Sequence, residues 1–454
     1  MALQAIDGTS RRAVLPGIGM NYRDFVQIGK SALAMPRNCG MIALSARQMD
    51  TGDPMNIKKT IFLGLAILTV SACQPIATPP VETPTQLLST PTLTQAPTET
   101  STPTATPTPP APTETPTATP IPPPVGPVDF PVGVNPLTGL QVADPDLLQR
   151  RPVAVKIQLF PREGRPPWGV SLADIVFDYY QNDGLTRLNA MFYGNNAEQV
   201  GPIRSARLFD RNILEGYKAI LVFGGAFKAV MDHLYASPQW EYMVMEGSHN
   251  CPPMCRVEPE SNNYLVTNIE ELHTYIQEKD LDDQPQSLDG MSFDSRTPDG
   301  GEPGSQVYTR YSISSYNRWD YDPASRRYLR FQDTQEDEGG GEGYAPLTDR
   351  LTDEQIAADN VVVLFLGHNI DPPYSPRVVQ IGMFGEGDAI AFRDGKAYKV
   401  RWHRPEGSAV VYLKFPDDSP YAFKPGTTWF QVVGTSSQVD QEEQGVWRIR
   451  FKIP

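Results

Sequence analysis

The sequence predicts an α+β or α/β N-terminal domain over 128–298 and a mostly-β C-terminal domain over 304–454, carried on a disordered Pro/Thr-rich linker. Three observations lead there. Between 152 and 279, strand-like alternation and helical signals follow one another. After 304, seven short β-rich runs come in succession with one helix signal among them. From 74 to 127, 17 of 54 residues are Pro and 16 are Thr, with no aromatic residue and no Lys or Arg.

The N-terminal elements can be taken in order. Residues 152–159 alternate like a half-buried strand. Residues 174–180 and 188–193 read as two more, and Asn182-Asp183-Gly184 is the turn between them. Pro202 suits the first turn of a helix expected over 203–217. Residues 219–223 form a short apolar strand and 227–235 the helix after it. Asn268 with Glu271 three positions on is an N-cap pattern for a helix running to about Lys279. Interleaved strands and helices indicate an α/β or α+β arrangement.

In the C-terminal part the strand candidates are 307–313, 327–331, 361–366, 389–392, 410–415, 428–433 and 447–453. Asp394-Gly395 marks a hairpin, and 352–355 a short helix. A β sandwich or barrel-like module is expected.

The linker cannot bury enough apolar surface to offset its ordering entropy. As polyproline II at about 3.1 Å per residue it reaches on the order of 150 Å. Ahead of it, Lys58 and Lys59 precede an apolar run, 61–70. That run is short of the roughly 20 residues a membrane-spanning helix needs, and 55–73 reads as a signal peptide. Leu68-Thr69-Val70-Ser71-Ala72-Cys73 resembles the lipobox of bacterial lipoproteins. The resemblance implies that Cys73 becomes the first mature residue, carries a lipid, and anchors the protein to the outer face of the cell membrane. An ordinary secretory signal cleaved near Ala72 is the alternative. Residues 1–54 show no sustained period and put Asp24, Asp50 and Asp53 ahead of the positive n-region. They are expected to be a misassigned start, with Met55 the natural one.

Lys and Arg total 39 against 53 Asp and Glu, a net charge of −14. The acidic excess lies after the linker and repels nucleic-acid phosphates, so no nucleic-acid partner is expected. Of four cysteines, Cys39 lies in the doubtful start and Cys73 is the lipid site. Cys251 and Cys255 are expected to pair as a disulfide outside the cytoplasm. The alternative, a metal held with His249, offers only three ligands. No metal or other cofactor is expected.

The candidate ligand-binding set is Arg187, Arg204, Ser205 and Arg207. On the expected helix Arg204 and Arg207 share a face in the first turns, where free N–H groups favour an anion, and guanidinium groups bind phosphate or carboxylate bidentately. The competing reading pairs these arginines with Asp174, Asp178 or Asp210 as a structural network. Ser205 as a nucleophile has no base in any motif context. Gly224-Gly225 is a weak phosphate-cradling signal. The acidic run 333–343 reads as a solvated loop. Trp402, Trp429 and Trp447 are a minor candidate for a sugar-stacking platform, and strand aromatics are more often core.

Several motifs resemble one family, the YerB-like lipoproteins. In the N-terminal part these are Asn135-Pro136-Leu137-Thr138-Gly139-Leu140, Arg151-Pro152-Val153-Ala154-Val155, Ala173-Asp174-Ile175-Val176, Gly184-Leu185-Thr186-Arg187 and Gly201-Pro202-Ile203-Arg204-Ser205-Ala206-Arg207. In the C-terminal part they are Asp359-Asn360-Val361-Val362-Val363, Phe392-Arg393-Asp394-Gly395-Lys396 and Pro425-Gly426-Thr427-Thr428-Trp429. The resemblance covers nearly all of 128–454. It implies a lipoprotein signal ahead of two domains of unknown function, which gives architecture and localisation but no chemistry. Where the family has a His-Asn pair, this chain reads Asn262-Asn263, so a catalytic histidine there does not carry over.

The expected function is a binding or scaffold lipoprotein for an anionic cell-envelope component. The alternative is an envelope hydrolase or transferase acting on a phosphate- or sugar-containing substrate, using Asp174, Asp178, Asp183 or Ser205. A third reading is a protein-interaction module that docks a partner on the C-terminal β domain.

Overall fold

The computed structural model describes residues 121–257, 264–370 and 378–453. The signal peptide, Cys73, nearly all of the linker and Asn262-Asn263 lie outside the described residues.

The first half supplies β1 (Val153–Ile157), β2 (Ile175–Asn182), β3 (Leu185–Phe192), α1 (Asp210–Gly216), β4 (Ile220–Phe223), α2 (Lys228–Tyr235), β5 (Met243–Met245), the ribbon β6 (Met254–Arg256) with β7 (Leu265–Thr267), and α3 (Ile269–Glu278). Asp183 and Gly184 take φ of 53° and 77°, the left-handed pair that a two-residue hairpin turn requires. The Asn268 side chain accepts the N–H groups of Glu270 and Glu271 at 2.9 and 3.1 Å, which caps α3 as its sequence predicts.

The second half supplies β8 (Glu302–Pro303), β9 (Gln306–Arg310), β10 (Tyr316–Asp322), β11 (Arg327–Asp333), β12 (Tyr344–Pro346), β13 (Ala357–Ala358), β14 (Asn360–Asn369), β15 (Gln380–Gly382), β16 (Gly385–Arg393), β17 (Lys396–Arg404), β18 (Tyr412–Lys414), β19 (Thr428–Gly434), β20 (Gln438–Glu443) and β21 (Val446–Arg450). The protein is mostly β with few helices.

The two halves are not separate bodies. A 12-stranded sheet runs β18-β17-β16-β14-β19-β2-β3-β1-β4-β5, with β15 on β14 and β8 on β17. β19 lies parallel to β2, placing Thr428 opposite Ile175 and Val432 opposite Tyr179. The reason is local: Ile175, Val176, Phe177 and Tyr179 are all fully buried. A strand apolar on both faces has no solvent for its outer N–H and C=O groups and takes a partner on each edge. The second half therefore does not close on itself as a sandwich or barrel. Its other strands form a separate sheet, β12-β11-β10-β9-β21-β20 with β13 on β11.

Alternation sorts the core into two layers. Phe177, Phe430, Tyr179 and Val432 pack with Ile213 of α1 and Val230 and Leu234 of α2. Val176, Trp429 and Val433 pack with Ile269, Leu272 and Ile276 of α3 and with Val307, Trp319 and Trp447 of the second sheet. A buried ion pair crosses between the sheets: Arg330 Nη2 lies 2.8 Å from Asp178 Oδ2, with its guanidinium 5.0 Å from the Trp319 ring and 4.7 Å from Trp429.

Four expectations need correction, one of them in part. The helix expected over 203–217 exists only as α1, because the chain before it is held extended. Ile203 N–H donates to Leu265 O (2.7 Å), Arg204 N–H to Lys156 O (2.9 Å) and Ala206 N–H to Gly225 O (2.9 Å). The short helix at 352–355 is a turn, where Thr348 bridges Gln355 and the Asp349 carboxylate accepts from Gly169 and Ser171. The acidic run 333–343 is solvated over most of its length, with 334–336 and 338–341 exposed, but it is tied at three points: Asp333 is buried against Arg162 and Arg165, and Arg310 meets Asp337 and Glu342. Trp402, Trp429 and Trp447 are buried core residues and offer no platform.

Candidate functional site

The site grows out of β1, β2 and β3 and the extended segment 201–209. On β1, Lys156 is the one polar position of an otherwise apolar strand, and Gln158 follows directly after its end. Pairing β1 with β3 sets Lys156 opposite Asn189. Segment 201–209 runs beside β1 through the Arg204–Lys156 backbone bond, and Gly224 N–H returns to Arg204 O at 3.0 Å. The Gly224-Gly225 turn thus braces the arginine segment through its backbone.

Arg204 and Arg207 do not share a helix face, as the sequence suggested. The convergence with Arg187 arises differently. Arg187 Nη1 donates to the carbonyl of Ser205, and Arg207 Nη1 reaches the same carbonyl at 3.4 Å. Ser205 organises the cluster through its backbone oxygen. Arg204 Nε donates to Gln158 Oε1 at 2.7 Å. Arg207, 6 % exposed, donates from Nη2 to Gln181 Oε1 (2.7 Å) and Asn182 Oδ1 (3.3 Å).

Beneath the arginines is a fully buried group that the sequence reading did not assemble. Lys156 Nζ donates to the Tyr179 hydroxyl and lies 3.5 Å from Asp210 Oδ1. Tyr179 OH donates to the same oxygen at 2.6 Å, and Asn189 Nδ2 at 3.0 Å. Asp210 Oδ2 accepts the Arg207 backbone N–H at 2.7 Å. The signal for Lys156 was a lone charge inside an apolar strand. Nothing in the sequence said that Asp210, some fifty residues later, would meet it.

The site is cation-rich. Among the described residues neither Arg187 nor Arg207 forms an ion pair. Burial, and then Arg207 and Arg204, push the Arg187 guanidinium down to about 9. Burial lowers Lys156 to about 7; Asp210 opposes this, and Arg187 and Arg207 reinforce it. Three buried N–H donors here have no acceptor: Arg187 Nε, Arg207 Nε and Gln158 Nε2. An arrangement with surplus positive charge and unmet donors favours an anion.

Of the acids weighed as partners or bases, Asp210 lies in this cluster, and Asp174, Asp178 and Asp183 go elsewhere. Asp178 pairs with Arg330. Asp174 accepts from Asn135, Tyr193 and Gly194, and burial raises it to about 6. Asp183 takes the Asn182 amide and acts on Arg207 only through its field. Cys251 and Cys255 form a disulfide, so the metal alternative with His249 falls.

Residues 137–282 match the N-terminal domain, and 307–430 the C-terminal domain, of a family described as "Protein of unknown function (DUF3048)". The chain is 26% identical over 305 residues to "Putative lipoprotein YerB" of Bacillus subtilis (strain 168), covering 66% of this chain and 85% of that protein. Its fold is similar to the crystal structure of the YerB protein from Bacillus subtilis, with a TM-score of 0.55 and 24% identity, across 66% of this chain and 96% of that one. The chain belongs to the YerB-like family, in which both the N-terminal and the C-terminal domain are of unknown function.

Proposed function

We propose that this chain is a lipid-anchored, extracytoplasmic binding protein that holds an anionic component of the cell envelope at Arg187, Arg204 and Arg207. The observation that carries the reading is the convergence of Arg187 and Arg207 on the Ser205 carbonyl with no ion pair to either among the described residues. Guanidinium groups left with unmet donors in a protein of net charge −14 suit a phosphate or carboxylate ligand. Anchoring through Cys73 is supported by the lipobox and by the lipoprotein name of the Bacillus relative. No helix among the described residues is long and apolar enough to cross a membrane.

An envelope hydrolase or transferase is the second reading, favoured by Lys156, whose lowering to about 7 suits a general base. Its complete burial weighs against contact with a substrate.

The test is a thermal-shift screen against phosphosugars, polyphosphate and cell-wall fragments, with Arg204→Ala/Arg207→Ala alongside. A ligand at 100 times its Kd adds about 2.7 kcal/mol of stability. The expected result is a ligand that stabilises the wild type and not the double variant. No shift in either protein, with the variant simply melting lower, would make the arginines structural.

A further inference from the structure

Where the chain enters β1, the 3-10 turn Pro145–Gln149 and α3 line an open cavity of about 630 Å³. Its chemistry is the reverse of the arginine site. Asp146, Glu270, Asp282 and Asp283 line it, with Arg150 the one cation and His273 in its wall.

Asp283 is fixed from two sides. Its Oδ1 accepts the Arg151 N–H at 3.1 Å, and its Oδ2 lies 2.8 Å from His273 Nδ1. A carboxylate oxygen accepts, so Nδ1 carries the proton and Nε2 carries the lone pair. Burial lowers the ring's pKa and so favours the neutral form; the hydrogen bond to Asp283 opposes this, and Arg150 adds to the lowering. The ring is 5 % exposed, and Nε2 is buried without a partner. Arg150 does not neutralise the cavity: it donates from Nε to Leu147 O at 3.2 Å and from Nη2 to Asn196 Oδ1, and among the described residues it forms no ion pair. Asp146 and Glu270 likewise form no ion pair among the described residues.

The lining is thus negative and rich in acceptors, and its orphaned atom is an acceptor as well. Its complement is a small cation that brings N–H donors. We propose that this cavity binds the primary ammonium group of a small organic ligand, an alkylamine or the side chain of a diamino acid, with His273 Nε2 as one acceptor and the Glu270 and Asp146 carboxylates supplying the counter-charge. Neither the arginine cluster nor its proposed anion enters this argument.

The test uses the whole chain with ¹⁵N-labelled histidine. There are five histidines, so the spectrum resolves each. The probes are 1,5-diaminopentane and its bis(trimethylammonium) analogue, which keeps both positive charges but has no N–H. The expected result is a saturable shift of the His273 Nε2 signal with the diamine and roughly tenfold weaker binding of the trimethylated cation, the scale of one charge-assisted hydrogen bond. Glu270→Gln, at an exposed position, should weaken the diamine severalfold and leave the fold intact. An unmoved His273 signal at saturating diamine would overturn the proposal. So would equal affinity for the two cations, which reports charge attraction alone.

Discussion

Asp210→Asn tests the physical account of the arginine site most sharply. Asp210 is fully buried and is the carboxylate against which Lys156 is held. Its two oxygens accept from Tyr179, Asn189 and the Arg207 backbone. Asparagine keeps the shape but removes the charge and turns an N–H₂ toward groups that are themselves donors. Breaking a buried ion pair from one side costs about 3–5 kcal/mol. For a body of this size that is roughly 2 °C per kcal/mol, or a fall of about 6–10 °C in Tm. The double replacement Lys156→Met/Asp210→Leu leaves no uncompensated charge and should recover most of the loss. Urea denaturation at pH 7 on the wild type and the two variants measures both effects. A loss under about 1 kcal/mol for Asp210→Asn, or no recovery in the double variant, would refute the reasoning that Asp210 neutralises Lys156.

Other outcomes follow from the same structure. Lys156 gives up its proton near pH 7 when folded but near its ordinary 10.5 when unfolded, so the unfolded chain binds more protons in between and stability rises with pH from about 7 toward 9, by at most ~1.4 kcal/mol per unit; Lys156→Met should flatten that slope, and an unchanged slope in pH-dependent denaturation would contradict it. Residues 121–298 expressed alone lack β19 and leave the buried edge of β2 open, so they should aggregate or remain unfolded until 299–454 is supplied; a well-dispersed NMR spectrum of the fragment alone would disprove this. Cys251→Ser/Cys255→Ser opens a loop closed over a separation of four residues and should cost about 2 kcal/mol, with denaturation midpoints as the readout.

Much of the fold was legible locally. The strands at β1 to β4, the Asp183-Gly184 turn and the Asn268 cap each follow from residues within one element, because propensity, alternation and capping are short-range effects. Several strands escaped notice, most of them short; among the longer ones, β10 and β17 carry Arg318, Asp320, Lys399 and Arg401 at alternate positions, which mask the apolar face. The missed extent of the 203–217 segment has a different cause. Its helix signal was real, but Leu265, Lys156 and Gly225 offered backbone partners from other elements, and those bonds won.

The sequence by itself determined the acidic character, the family and where the three arginines stand along the chain, and it alone motivates the proposal of a lipid anchor at Cys73. Only the tertiary structure decided that the two halves share one sheet, since the pairing of β2 with β19 joins residues some 250 positions apart. It also decided that Arg187 and Arg207 meet at one carbonyl above a buried Lys156–Asp210 pair. Side chains that touch only after the chain has closed leave no periodic trace in the sequence, because their spacing is set by sheet order and not by any local repeat.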